Sequence, residues 1–156
     1  MIRLKNVLVA TDFSEGSQVA VEQARALAAA FDASLHFLHV VTEPLHEMWA
    51  GYVPGEDFLG TVERLQAEAR TRLDLLASPE EVATGRIVLA TPWGSPSDEI
   101  LKYARTHAID LIVCGTHGRR GWDHIVMGSV AEQVVRLAPC PVLTAQAVKG
   151  RVASAA

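Results

Sequence analysis

Two short segments hold the residues best suited to chemistry. One is Ala10-Thr11-Asp12-Phe13-Ser14; the other is Gly115-Thr116-His117-Gly118-Arg119-Arg120-Gly121, followed shortly by Met127-Gly128-Ser129-Val130-Ala131. In the second the glycines fall as Gly115-x2-Gly118-x9-Gly128, and Ser129 follows at once at the head of a helical stretch. Glycines let a ligand approach the backbone, and the free N–H groups of a helix start, with a serine hydroxyl, hold phosphate oxygens. The spacing predicts a phosphate site; tight turns alone are the competing reading. Asp12 is placed to accept hydrogen bonds from a ribose or a base edge, or else forms a turn or caps a helix. Val41 supplies an apolar wall beside it. Arg119 and Arg120 read either as partners of phosphate charge or as a solvated loop pair.

Other chemistries lack their residues. There is no G-x4-G-K-[ST], no glycine series after the first strand to make G-x-G-x-x-G, and no G-x-S-x-G elbow. His36 and His39 stand three apart on a strand and so face opposite ways. His46-Glu47 does not continue to H-E-x-x-H. His107 ends a helix, where a cation is favoured, and His124 reads as solvated. His117 differs in standing inside the glycine loop. Cys114 and Cys140 have neither CxxC nor metal-ligand spacing and read as reduced, structural thiols. Trp49, Tyr52 and Trp93 read as partly buried loop anchors or as surfaces for a ligand or partner.

The elements that position these residues follow from apolar runs and periodicity. Strands are expected over residues 4–10, 34–41, 85–91, 109–114 and 141–146. Helices are expected over 15–31, with Ala20, Ala24, Leu27, Ala28 and Phe31 on one stripe; over a stretch carrying Val62, Leu65, Ala69, Leu73 and Leu76 that starts near Glu56 and Asp57 and ends at Ser78-Pro79; from Pro96 to about His107; and over 129–137. Ser14 is the expected cap of the first, and Ser95-Pro96-Ser97-Asp98 the capped start of the third. The loop from Thr42 to Gly55 carries no readable pattern. Strands that are continuous apolar runs, alternating with helices, predict a three-layer, doubly wound parallel α/β sheet covered on both faces. Of the orders compatible with right-handed crossovers, 3-2-1-4-5 sets the ends of strands 1 and 4 side by side where the winding reverses. That is where the two chemical segments lie.

The 156 residues, 49% hydrophobic and 21% charged, suit one domain, expected over 1–148 with a frayed tail over 149–156. Fourteen Lys and Arg against 18 Asp and Glu give a formal charge of −4, which argues against a general nucleic-acid binder. No run approaches the roughly 20 apolar residues of a spanning helix, and no export signal opens the chain, so the expected location is the cytoplasm, away from membranes.

With these residues assembled, the chain resembles the universal stress proteins, whose ATP-binding members carry G-x2-G-x9-G-[ST] after strand 4. The resemblance runs through VLVATDFSE, Gly94-Ser95-Pro96, DLIVCGTHGRRG and MGSVAEQVVRLAPCPVL. It implies a Rossmann-like fold of the adenine nucleotide alpha hydrolase-like type and a regulatory, stress-response protein that binds ATP, with AMP or ADP as variants and Mg2+ held by the phosphates rather than by protein ligands. Thr11 and Asp12 would meet the adenosine and Val41 the base. Gly115, Thr116, His117 and Gly118 would line the nucleotide, and Gly128, Ser129, Val130 and Ala131 would hold the phosphates; Ala10, Arg119, Gly121 and Met127 complete the expected site. Met127 and Trp122 stand where aliphatic residues such as Leu are usual. The resemblance further implies a homodimer through the last strand, Val142 to Gln146, an edge without a charge or proline in its middle, and an unidentified protein partner. No dedicated catalytic base is legible, so the leading expectation is a non-enzymatic nucleotide-binding dimer. The alternatives are a slow ATP hydrolase and a nucleotide-free interaction module of the same fold, and the intact glycine motif counts against the last.

Overall fold

Each strand is a run of Val, Leu, Ile, Phe or Ala long enough to cross a sheet covered on both faces, and the computed structural model shows how those runs divide between the faces. It describes residues 2–42, 58–116 and 127–146, and of Phe58 the backbone only. In chain order the elements are β1 (Asn6–Ala10), α1 (Glu15–Phe31), β2 (Ser34–Leu38), α2 (Phe58–Asp74), α3 (Pro79–Ala83), β3 (Ile87–Ala90), α4 (Pro96–Thr106), β4 (Leu111–Gly115), α5 (Ser129–Leu137) and β5 (Val142–Ala145). The sheet order is β3-β2-β1-β4-β5, as expected, and every pairing is parallel. Val7 lies level with Leu35 and Leu111, and Ala10 level with Leu38 and Cys114.

Alternate residues of each strand serve the two faces. Val7, Val9, Phe37 and Val113 pack with Ala20, Ala24 and Ala28 of α1 and with Leu73 of α2. Leu8, Leu38 and Ile112 turn the other way, onto Ile100 and Ala104 of α4 and Val134 of α5. The small residues on the inner stripe of α1 let its backbone lie close to the sheet.

Several boundaries differ from the sequence reading. β1 begins at Asn6 because the Lys5 and Asn6 amides are taken by the Asp110 carboxylate, at 2.7 and 3.0 Å. β2 ends at Leu38, and Val41 rejoins the sheet only as an isolated bridge to Trp93. β3 and β5 are shorter than expected; Pro141 has no N–H and contributes only its carbonyl, to the Ile112 amide. Phe31 leaves the buried stripe of α1 and is 40% exposed, because Asp32 turns the chain at φ +56. Ser95 caps α4 by position, with Pro96 in the first turn, but its hydroxyl makes no cap bond. Ser14, as expected, accepts from Ser17 N. Glu56 and Asp57 lie outside the described residues, as do most of the 42–55 loop and the tail.

Ser78-Pro79 opens a helix rather than merely closing one. Ser78 caps α3 in a full capping box with Glu81, and Pro79 takes the first position. Five residues with none buried leave no apolar stripe to detect, although S-x-x-E was present as a signal. Arg25 of α1 ties this corner down. Its guanidinium lies 5.3 Å from the centre of the Phe37 ring, donates to the Leu76 carbonyl and pairs with Glu81 at 2.8 Å.

Arg25→Ala is expected to cost about 1–2 kcal/mol, read by chemical denaturation, chiefly through the orphaned Leu76 carbonyl and the lost ring contact; an ion pair this exposed is itself worth under ~1 kcal/mol. The pH dependence has a definite sign. The Ser78 amide, and after it the Arg25 guanidinium, hold the Glu81 carboxyl below its ordinary value of 4.5. A depressed folded value gives stability that is complete above 4.5 and lost as pH falls through the folded value. Glu81→Gln should therefore flatten the acid limb of the stability profile; an unchanged limb would refute this assignment.

Candidate functional site

The crevice at the carboxyl rim is built from the reversal between β1 and α1. Residues 11–14 turn the chain, and Thr11, only 6% exposed, organises the turn. Its hydroxyl accepts from Phe13 N at 3.0 Å and donates to Ser17 Oγ at 3.0 Å. Its amide donates to the Leu38 carbonyl at 2.9 Å. Its carbonyl lies 2.8 Å from His39 Nδ1. A carbonyl only accepts, so His39 carries its proton on Nδ1. Thr11 thus clamps β1, β2 and α1 together with every polar group it has.

Phe13 pays for this tight reversal with φ +64, a region that bulky residues avoid at about 1–2 kcal/mol. Its ring is held 4.5 Å from that of His39, and Arg72 of α2 lies over it at 3.9 Å. Asp12 Oδ1 accepts from Ser14 N at 3.0 Å and from Ser14 Oγ at 2.5 Å, so the turn-forming reading of Asp12 holds in the structure. The same bonds fix its carboxylate at the end of β1.

Across the crevice, β4 ends at Gly115, level with Ala145, and Thr116 N donates to the Ala145 carbonyl at 2.9 Å. Gly128 N donates to the Thr116 carbonyl at 2.7 Å, which returns the chain to the end of β4 and sets the start of α5 beside it. Gly128 is the N-cap of α5 at an ordinary φ of −72, and having no side chain it leaves the helix without a side-chain cap. Among the described residues the amides of Ser129, Val130 and Ala131 have no acceptor and the Ser129 hydroxyl no partner. Gly115 has a role that its spacing did not suggest. A Cβ there would stand 3.1 Å from both the carbonyl carbon and oxygen of Gly16, and 3.3 Å from Ser17 N, so the glycine suits the close docking of α1.

The structure therefore brings Ala10, Thr11, Asp12, Gly115, Thr116, Met127, Gly128, Ser129, Val130 and Ala131 to the ends of β1 and β4. Val41 lies on the same rim beyond β2, buried, with its amide and carbonyl bonded to Pro92 O and Gly94 N. His117, Gly118, Arg119 and Gly121 lie outside the described residues, as do Arg120, Trp49, Tyr52, Trp122, His46 and His124. A surface depression lined by Ile2, Arg3, Leu4, Lys5, Ala30, Phe31 and Asp32 sits at the opposite, amino end of the sheet, away from these groups.

His36 and His39 face opposite sides, as expected: His36 Nδ1 lies 3.0 Å from the Tyr103 hydroxyl, under α4. Burial, and then the His107 charge, lower the His36 pKa. No three His, Cys, Asp or Glu among the described residues could share a metal ion. Cys114 and Cys140 are free thiols, and burial pushes Cys114 up to about 11. No described helix is long and apolar enough to cross a membrane.

Comparison with known proteins agrees with this architecture. The model of the universal stress protein family matches residues 3–146. Universal stress protein MJ0531 of Methanocaldococcus jannaschii is 34% identical over 140 residues, which cover 89% of this chain and 80% of that protein. Universal stress protein YxiE of Bacillus subtilis is 34% identical over 145 residues, covering 88% and 95%. Among solved structures, UspA from Lactobacillus plantarum superposes with a TM-score of 0.74 at 29% identity, over 93% of this chain and 99% of that one. A universal stress protein solved in complex with cAMP shares the fold, at a TM-score of 0.60 and 24% identity over 92% and 98% of the two chains.

Gly115→Ala is expected to destabilise the protein by about 1–3 kcal/mol, because the added methyl meets backbone that cannot rotate away. Thermal melts and hydrogen exchange at the first turn of α1 would both register it. Unchanged stability would mean that α1 is not seated on β4 as described.

Proposed function

Because the chain belongs to the universal stress protein family, we propose that it is an ATP-binding regulatory protein of the cytoplasm, acting in a stress response as a homodimer and not as an enzyme. The observation that carries this reading is the uncapped start of α5 beside the end of β4, with three amides and a serine hydroxyl converging where the sheet reverses its winding. That donor set fits phosphate oxygens. The helix dipole adds partial positive charge at the same point. The cAMP complex of a protein with this fold supports an adenine nucleotide as the ligand class.

On this reading Ser129, Val130 and Ala131 hold phosphate through their amides, and the Ser129 hydroxyl adds a fourth donor. Gly128, whose own amide stays on Thr116, lets the phosphate chain pass close to the backbone. Asp12, fixed by Ser14, accepts from the sugar hydroxyls. Ala10, Thr11, Gly115 and Thr116 form the floor, and Val41 and Met127 bound the base and the phosphates. His117, Gly118, Arg119 and Gly121 would close the site from the loop after β4. Mg2+ would be carried on the phosphates. The reading assigns no catalytic base, and the Val142–Gln146 edge joins two copies.

Acid extraction of the purified protein should release an adenine nucleotide, identified by chromatography. ATP with Mg2+ at 100 times its dissociation constant should stabilise the protein by about 2.7 kcal/mol, a rise in Tm of roughly 5–10 °C for a chain of this size. Gly128→Val should abolish the shift by placing a branched side chain where the phosphates pass. Neither nucleotide nor shift in the wild type would overturn the reading.

A further inference from the structure

Trp93 occupies a position that the glycine motif and Asp12 leave unexplained. It stands just past β3 on the carboxyl rim, paired with Val41 just past β2. The pairing is firm on both sides: Val41 N donates to the Pro92 carbonyl at 2.8 Å, and Gly94 N donates to the Val41 carbonyl at 3.0 Å. The flanks are pinned too. Gln66 Nε2 donates to the Thr91 carbonyl at 2.8 Å, and Glu99 N to the Ser95 carbonyl at 3.0 Å. Gly94 adopts φ +147, a conformation that other residues rarely take, and a Cβ there would lie 3.1 Å from the Glu99 side chain. Trp93 is therefore carried on a rigid mount, and 39% of it remains exposed.

Its facing follows from the pairing. Paired residues in a parallel bridge stand on the same side of the sheet, and successive residues alternate. Val40 is buried among the residues under α4, so Val41 faces the other way, the side on which the His39 ring packs on Phe13. Trp93 faces that side as well. Phe13 follows Asp12 directly, so the rim carries an aromatic and apolar band, Phe13, His39, Val41 and Trp93, running from Asp12 to the end of β3. With strands about 4.8 Å apart, Trp93 lies roughly 14 Å along the rim from β4, three strands away. Phosphates at the start of α5 and a sugar at Asp12 would point the remaining part of a nucleotide along this band.

We propose that Trp93 is the residue that makes the site select a ligand carrying a base, its indole forming the outer wall against which a flat aromatic ring stacks, with Val41 as the floor. This rests on the ATP-binding reading above and extends it: the α5 end holds phosphate of any kind, and Trp93 makes the site prefer a nucleotide over a bare polyphosphate. Stacking suits the role because indole offers a large, rigid face to any base.

Equilibrium dialysis with labelled ATP, and competition by inorganic tripolyphosphate, separates the two parts of the site. Trp93→Ala should weaken ATP binding about tenfold, which is ~1.4 kcal/mol, Trp93→Phe should stay within about twofold of wild type, and tripolyphosphate should compete equally well in all three. A second readout uses Trp49→Phe/Trp122→Phe, which leaves Trp93 as the single tryptophan: ATP should quench its fluorescence and tripolyphosphate should not. This readout also decides the matter if Trp93→Ala fails to fold. Trp93→Ala binding ATP like wild type, equal loss of ATP and tripolyphosphate, or fluorescence indifferent to ATP would overturn the proposal while leaving ATP binding intact. Wild-type protein that binds no ATP would overturn both readings together.

Discussion

The first turn of α1 meets the end of β4 backbone to backbone, with Gly115 facing Gly16 so closely that one added carbon would lie 3.1 Å from the carbonyl group. The rest of the site depends on that approach. α1 follows β1 after four residues, so pressing its start against β4 forces the intervening chain into a tight reversal. Thr11 then has to satisfy Phe13 and Ser17 with one hydroxyl, and Phe13 has to accept a left-handed conformation. The Phe13 strain is offset by its contacts with His39 and Arg72, which come from β2's extension and from α2. A single steric constraint thus couples two strands and two helices, and it leaves Asp12 fixed at the mouth of the crevice.

Two helix N-termini, those of α1 and α5, consequently meet where β1 and β4 end side by side, and they differ in a way that bears on where an anion fits. α1 is capped by the Ser14 side chain, and Asp12 places negative charge beside it. α5 has glycine at the cap position, so its first amides stay open. The dipoles of both helices favour negative charge, but only α5 has donors to give. This explains how a chain of formal charge −4 can be suited to a polyanion: the binding groups are backbone amides at one helix end, and net charge has little bearing on them.

The strands, their order and the four long helices were legible because each carries a periodic or continuous apolar signal that burial imposes. The crevice was legible too, since it follows from sheet order and from where glycines and polar residues interrupt the apolar runs. Contacts made across the rim were not. Thr11 and His39 are joined by a bond between a carbonyl and a ring, and neither residue type announces it. Phe13 gives no hint of positive φ, a conformation that glycine or asparagine would have signalled. Gly115 was readable as special, but the reason came from the packing partner, Gly16, a hundred residues earlier. The short α3 was missed because it buries nothing, while its capping box stood in the sequence throughout.

α5 has two ends with different surroundings. The helix is nine residues long, roughly 13 Å. Its first turn offers open amides at the crevice. Its last turn exposes Val135 and Leu137 and leads through Ala138-Pro139-Cys140-Pro141 into β5, the edge of the sheet, where Leu143 is also exposed. Ala131 and Val134 are its buried residues, so the helix is anchored through its first half and middle. A ligand that orders the first turn acts on the same rigid rod that carries the exposed apolar strip. α1 reaches both regions from the opposite face, its first turn meeting Gly115 at the crevice and its inner stripe sharing a buried cluster with Ala145 of β5, whereas α4 starts at Pro96, after β3, on the far side of β1. α5 on one face and α1 on the other therefore both connect the crevice with the edge strand, and α5 carries exposed Val135 and Leu137 on the way to it.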